Sequence, residues 1–154
     1  MSNPELKNLL DLAYKSYNEN DSILFRTRNK YAFDRSIEFQ DTLAMAEVHW
    51  HYGLFFSKME ILDSAYYHYF RALNYYELKN HEYYKAKMFY NLGFIQSRLK
   101  DYLGAEENLF KAILVYKNLN KNEQLYFCYR LLGSIFREKN ELERALEYHL
   151  KAFN

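Results

Sequence analysis

Residues 89–112 read FYNLGFIQSRLKDYLGAEENLFKA, and three small residues in them set a spacing: Gly93, Ala105 and Ala112. The same spacing stands upstream in Gly53, Ala65 and Ala72, and downstream in Gly133, Ala145 and Ala152. Nine small residues in one register define an internal repeat with a period of about 40 residues. Larger side chains keep the beat, as in Phe56, Gln96 and Phe136, or Phe55, Ile95 and Ile135. Further upstream the phase weakens: Ala13 and Ala32 hold it, while Phe25 replaces the middle alanine. One domain over 1–154 is expected, with a degenerate unit at 4–40 and clear units at 41–80, 81–120 and 121–154. An end unit packs on one neighbour only, which accounts for the degenerate start.

Within each unit the period is helical. Phe89, Leu92, Gly93 and Gln96 fall at i, i+3, i+4 and i+7, and Leu109, Ala112, Ile113 and Tyr116 repeat that pattern one helix later. Pro4 suits a first helical turn after Asn3. Asn120 with Glu123, and Asn140 with Glu143, resemble capping boxes, and Asp21, Asp41, Asn80 and Asp101 are further N-cap candidates. Near Glu60 only Asp63 offers a cap. The spacing predicts eight antiparallel helices near 4–18, 22–39, 42–59, 62–78, 81–99, 102–118, 121–139 and 142–153. A glycine inside a helix costs about 1 kcal/mol relative to alanine. Three of them in register imply close helix crossings that offset this cost.

Composition agrees with helices. The chain has 154 residues, 49% of them apolar, with 17 Tyr and 12 Phe but 4 Gly and 1 Pro. That is too apolar for disorder and too poor in turn residues for a β-rich fold. A net charge of +1 from 21 basic and 20 acidic residues sets up no global field for direct contact with nucleic acid or membrane. A single cysteine, Cys128, excludes an internal disulfide and a multi-cysteine zinc site. No signal peptide follows Met1 and no uncharged run approaches a membrane span, so the chain as written is expected to be cytoplasmic.

These positions resemble the tetratricopeptide repeat. Besides 89–112, the pattern is matched by YRLLGSIFREKNELERALEYHLKA (129–152) and HWHYGLFFSKMEILDSAYYHYFRA (49–72). The period departs from the family's usual length of about 34 residues, and no proline follows Pro4. Longer helices of this kind are similar to the arrays in bacterial sensor kinases, helix-turn-helix transcriptional regulators and peptide-sensing Rap-like proteins. The resemblance implies an all-α, right-handed superhelical solenoid of antiparallel pairs. It also implies a protein- or peptide-binding module, the sensory or scaffolding part of a bacterial signalling or transcriptional regulator.

By the same resemblance the first helix of each unit lines a concave groove. The partner-facing stripe would be Glu47, Trp50, Leu54 and Ser57, then Lys87, Tyr90, Phe94, Ser97 and Arg98, then Phe127, Arg130, Ser134 and Arg137. Rings supply contact area at low entropy cost and guanidinium groups take carboxylates, which suits a peptide or a protein helix. The stripe differs from the clamp that chaperone adaptors use for a C-terminal carboxylate: Trp50 and Leu54 occupy that clamp's polar positions, although Lys87 and Asn91 are present.

Other candidates carry less chemistry. His49 and His51 lie two apart on a helix and point about 200° apart, so they cannot grip one ion. His49 is read as a core histidine, and His68, His81 and His149 as isolated. Cys128 aligns with Val48 and Met88 and is read as buried. Glu106 and Glu107 are helix surface. Arg26, Arg28, Lys30 and Arg35 are read as a solvated face rather than a phosphate patch. No phosphate loop, serine nucleophile or metal signature appears, so no enzyme activity, cofactor or metal is expected. The last helix carries an apolar stripe of Leu142, Leu146, Leu150 and Phe153. Solenoids usually close with a polar-faced helix, so this stripe is expected to mean either that the chain is a fragment of a longer array or that it is a structural assembly element that self-associates through this helix.

Overall fold

The computed structural model describes residues 3–154, which form eight helices and, among the described residues, no strand. They are α1 (Pro4–Asn18), α2 (Ser22–Glu38), α3 (Thr42–Lys58), α4 (Leu62–Leu78), α5 (Glu82–Arg98), α6 (Tyr102–Asn118), α7 (Asn122–Glu138) and α8 (Leu142–Ala152). Every end falls within one residue of the sequence expectation.

One turn builds every link. After α1 the Asp21 N–H bonds the Ser16 carbonyl at 3.0 Å and the Asn20 N–H bonds the Tyr17 carbonyl at 3.1 Å, capping two orphan carbonyls. The same pair of bonds recurs after α2 to α7. Each turn needs one left-handed residue, and these fall at every twentieth position: Asn20, Gln40, Glu60, Asn80, Lys100, Asn120 and Asn140, with φ between 52° and 63°. The next residue then opens the following helix. Asp21, Asp41 and Asp101 accept first-turn N–H groups from Leu24, Ala44 and Gly104 at 2.9–3.1 Å, and Asn3 accepts those of Glu5 and Leu6 at 2.9 and 3.3 Å.

Three expected N-caps are corrected by this geometry. Asn80, Asn120 and Asn140 fill the left-handed slot, one place before the cap. Asparagine tolerates that conformation better than most side chains, so it serves the end of one helix and not the start of the next. Ile61, Lys121 and Glu141 hold the cap positions of α4, α7 and α8, with no side-chain cap bond.

The chain divides into two compact units, residues 1–81 and 82–154. Within each, consecutive helices pair as hairpins, and alternate helices also touch, α1 with α3 and α5 with α7. The first unit buries Leu6, Leu10, Ala32, Ala44 and Val48 against Leu9, Phe33 and Tyr52. Phe25 is fully buried among Tyr17, Tyr52 and Phe55, with ring centroids 4.8–6.1 Å away. The second unit centres on Leu109, Ile113, Cys128, Leu132, Ile135 and Phe136.

The repeat's small residues stand at the helix crossings. Ala65, Ala72, Ala105, Ala112, Ala145 and Ala152 are all buried. A methyl group on Gly53 would run into the Tyr69 ring. On Gly93 it would lie 3.0 Å from Leu109 Cγ, and on Gly133 2.6 Å from the His149 ring. Each hairpin thus sets its glycine against the same position of its second helix.

Candidate functional site

In the first unit, α3 presents the HWHYG stretch to two neighbours at once. His51 turns to α1 and stacks on Tyr14 with centroids 5.4 Å apart, while His49 turns to α4. Their opposite directions follow from helical geometry. His51 is almost fully buried, with its Nε2 3.6 Å from a Glu47 carboxylate oxygen. Burial holds the His51 imidazole down to about 4, and burial plus nearby Asp11 push the Glu47 carboxyl up to about 7. Near pH 6 both are therefore neutral, and their contact is not an ion pair. Trp50, from the expected groove stripe, is partly buried beside His51 at 5.7 Å; Leu54 and Ser57 are partly buried as well.

His68, read above as isolated, is the partner of His49. Their Nδ1 atoms lie 2.9 Å apart, which requires one ring to donate and the other to accept. Phe33 and Tyr75 flank His49, and Phe56 and Tyr52 flank His68, all with centroids 4.9–5.8 Å away. Burial lowers both imidazoles to about 4; His68 adds to the effect at His49, and Arg71 adds to it at both. Among the described residues no three His, Cys, Asp or Glu side chains group closely enough to hold a metal ion. The pairing had a signal in the sequence: Tyr129 and Tyr148 stand at the same two positions of the last repeat, and their rings lie 6.2 Å apart.

The basic stretch of α2 is occupied locally. Arg28 bonds Ser16 Oγ at 2.7 Å and the Leu12 carbonyl at 3.2 Å, Lys30 pairs with Asp34, and Arg35 pairs with Glu5 and Glu38. Arg26 lies over the Phe55 ring at 5.2 Å.

In the second unit, three stripe residues share one hollow of about 230 Å³. Lys87, Tyr90 and Phe127 line it with Tyr83, Asn91, Tyr116, Glu123 and Gln124. The Asn91 Nδ2 is buried beside it with no hydrogen-bond partner. Gln124 Nε2 donates to the Tyr83 hydroxyl at 3.4 Å, and burial raises the Tyr90 phenol above its ordinary value. The remaining stripe residues lie apart from the hollow's lining. Phe94 is exposed with the Arg98 guanidinium 6.0 Å over its ring; Arg130 lies 5.5 Å over Tyr126, and Arg137 is 3.8 Å from Glu138. Tyr83 and Gln124 continue the stripe one turn towards the helix starts, where the expected stripe stopped short, and Tyr116 reaches the hollow from the end of α6, a second helix that the stripe rule leaves out. Cys128 is fully buried behind it, its thiol pushed up to about 12 by burial.

Repeated helical hairpins with one turn type and small residues at their crossings define an all-α helical-repeat solenoid. Solved structures share the fold. The apo form of RapI matches with a TM-score of 0.86 at 15% identity, over 99% of this chain and 56% of that one. BtubC (BKLC) from P. vanneervenii matches with a TM-score of 0.84 at 20% identity, over 96% of this chain and 60% of that one. At such identities the likeness establishes the fold alone, and the chain spans little more than half of either neighbour. No protein-family model and no curated protein sequence matches it. Among the described residues no helix is long and apolar enough to cross a membrane.

Proposed function

We propose that this chain is a protein- or peptide-binding repeat module, serving as a sensory or scaffolding part of a bacterial signalling or transcriptional regulator. The observation that carries the reading is the hollow between α5 and α7. Four rings supply apolar area, and the side chains of Lys87, Asn91, Glu123 and Gln124 set polar groups around them. A peptide chain offers the complement, apolar side chains next to carbonyl oxygens. Rigid aromatics lose little entropy on binding. Phe94, Arg98 and Arg130 extend the same helices' exposed faces and would contact flanking residues of the partner. Trp50, Leu54 and Glu47 are the corresponding positions of the first unit, and Arg137 closes the stripe on α7.

A random short-peptide library selected against the immobilised chain tests this. Enriched peptides are expected to lose about tenfold or more in affinity on Tyr90→Ala, the effect of one anchoring ring. Helix content should stay unchanged by circular dichroism. Failure to enrich any peptide, or equal binding by the folded Tyr90→Ala variant, would overturn the reading.

A further inference from the structure

The α5–α7 hollow has the size and lining for one flat side chain. Tyr83 and Tyr90 of α5, Tyr116 of α6 and Phe127 of α7 wall a space of about 230 Å³. An apolar cavity of about 150 Å³ admits benzene, so this one has room for a phenol or an indole. Its rings already meet edge to face: Tyr83 and Tyr116 have centroids 6.1 Å apart and planes 63° apart. A further ring continues that arrangement, and ring contacts of this kind add to what area burial alone returns. Phe127 is 42% exposed and so within reach of a partner.

An aliphatic side chain suits the space less well. Among the rings stand the side-chain amides of Asn91 and Gln124, and Gln124 donates to the Tyr83 hydroxyl at 3.4 Å. A leucine laid over these polar groups would strip their water and return no hydrogen bond. A phenol or an indole carries a polar handle at the ring edge with an apolar body behind it. Tyrosine and tryptophan therefore match the lining, and phenylalanine matches only its rings.

Charge selects the residues beside that ring. Lys87 lines the hollow, and Lys121 sets its Nζ 5.5 Å from the Tyr83 ring centre. Burial raises the Tyr90 phenol, and the nearby Arg130 charge partly offsets it. Glu123, the carboxylate of the lining, offsets one of these cations, and Glu82 beside Tyr83 pairs with Lys85 at 3.0 Å. The positive excess that remains favours carboxylates on the partner. An extended chain advances about 3.5 Å per residue, so an acidic residue one or two places from the ring reaches the cations. We propose that the α5–α7 hollow is a socket for one tyrosine or tryptophan side chain of a peptide that carries an aspartate or glutamate one or two residues away. The inference rests on the peptide-binding reading of this hollow and adds the class of residue it takes.

The random short-peptide library, selected against the whole immobilised chain, tests it. Enriched peptides are expected to share one tyrosine or tryptophan with an aspartate or glutamate one or two residues from it. Exchange of that aromatic residue for alanine should cost about tenfold or more in affinity. Exchange for leucine should still cost about threefold, because it restores area without the ring contacts. On the protein, Lys121→Glu should weaken binding about fivefold, and added salt should weaken binding to the unaltered chain. Lys121 is exposed at the start of α7 and makes no side-chain cap bond, so helix content should not change. Peptides that enrich and need Tyr90 but share no tyrosine or tryptophan would overturn the socket and leave the module reading standing. So would equal binding after the leucine exchange, or an affinity indifferent to Lys121→Glu. Enrichment of no peptide at all would overturn both.

Discussion

The two units use the same turns and the same small residues, yet fill matching positions with different chemistry. Around α3 the first unit places Glu47, His49 and His51, with His68 opposite on α4. At the same positions the second unit has Lys87, Phe89 and Asn91, with Asn108 on α6, and then Phe127, Tyr129 and Leu131, with Tyr148 on α8. Backbone geometry is indifferent to this exchange, because the hairpin register is set by turns and crossings. Proton binding is not. One unit buries ionisable groups in neutral form between its helices, while the other meets the same packing demand mostly with rings and amides.

The largest expected consequence is a stability difference with pH. A histidine held near 4 in the folded state, against 6.5 when unfolded, leaves the unfolded chain binding more protons between those values. Its contribution is complete above pH 6.5 and is lost as pH falls towards 4. For His51, at about 1.4 kcal/mol per pH unit, the loss is roughly 3 kcal/mol. Glu47 acts in the opposite sense. Its carboxyl is held near 7, so its contribution is present below pH 4.5 and lost as pH rises through 7. Urea unfolding followed against pH should therefore steepen in Glu47→Gln and flatten in His51→Asn. Amide exchange should accelerate below pH 6 more in 4–78 than in 82–152. Equal acid sensitivity in the two regions would erase the contrast.

A smaller contrast lies at the glycines. Gly53→Ala drives a methyl into the Tyr69 ring, which is only 3% exposed and has little room to shift. It should lose about 1–3 kcal/mol by overpacking. Gly93→Ala meets Leu109 Cγ at 3.0 Å, which a few tenths of an ångström of movement relieves. The helix-propensity gain of about 1 kcal/mol should leave it close to neutral. Thermal melts that rank the pair the other way would show that the two crossings are not as different as their geometry.

The smallest effect should be common to both units. Glu60 and Lys100 sit in the left-handed slot with φ of 62° and 63°. Glycine adopts that conformation without a steric cost, so Glu60→Gly and Lys100→Gly should each gain up to about 1 kcal/mol. Unequal gains, measured by the denaturation midpoint, would mean that the turns are equivalent in backbone only.

Much of the architecture was legible in the chain. Gly53, Gly93 and Gly133 announced the repeat, and i, i+3, i+4 patterns placed eight helices to within a residue. The caps were half legible. An aspartate before a helix reads correctly at Asp21, Asp41 and Asp101, but an asparagine fits both a cap and a left-handed turn, and Asn80, Asn120 and Asn140 went to the turn. The candidate site was less legible still. The stripe rule named Lys87, Tyr90 and Phe127, which share a hollow, but also Arg98, Arg130 and Arg137, whose long side chains settle on local rings and carboxylates.

The sequence by itself determined the period, the helices and the positions where backbones come close, because each depends on local spacing and on the absence of side-chain bulk. Tertiary structure decided which side chains meet across a crossing. It set His49 against His68, held Glu47 and His51 neutral through burial, and left the Asn91 amide unpaired beside a ring-lined hollow. Those outcomes depend on distance and desolvation between residues far apart in the chain, which no local pattern encodes.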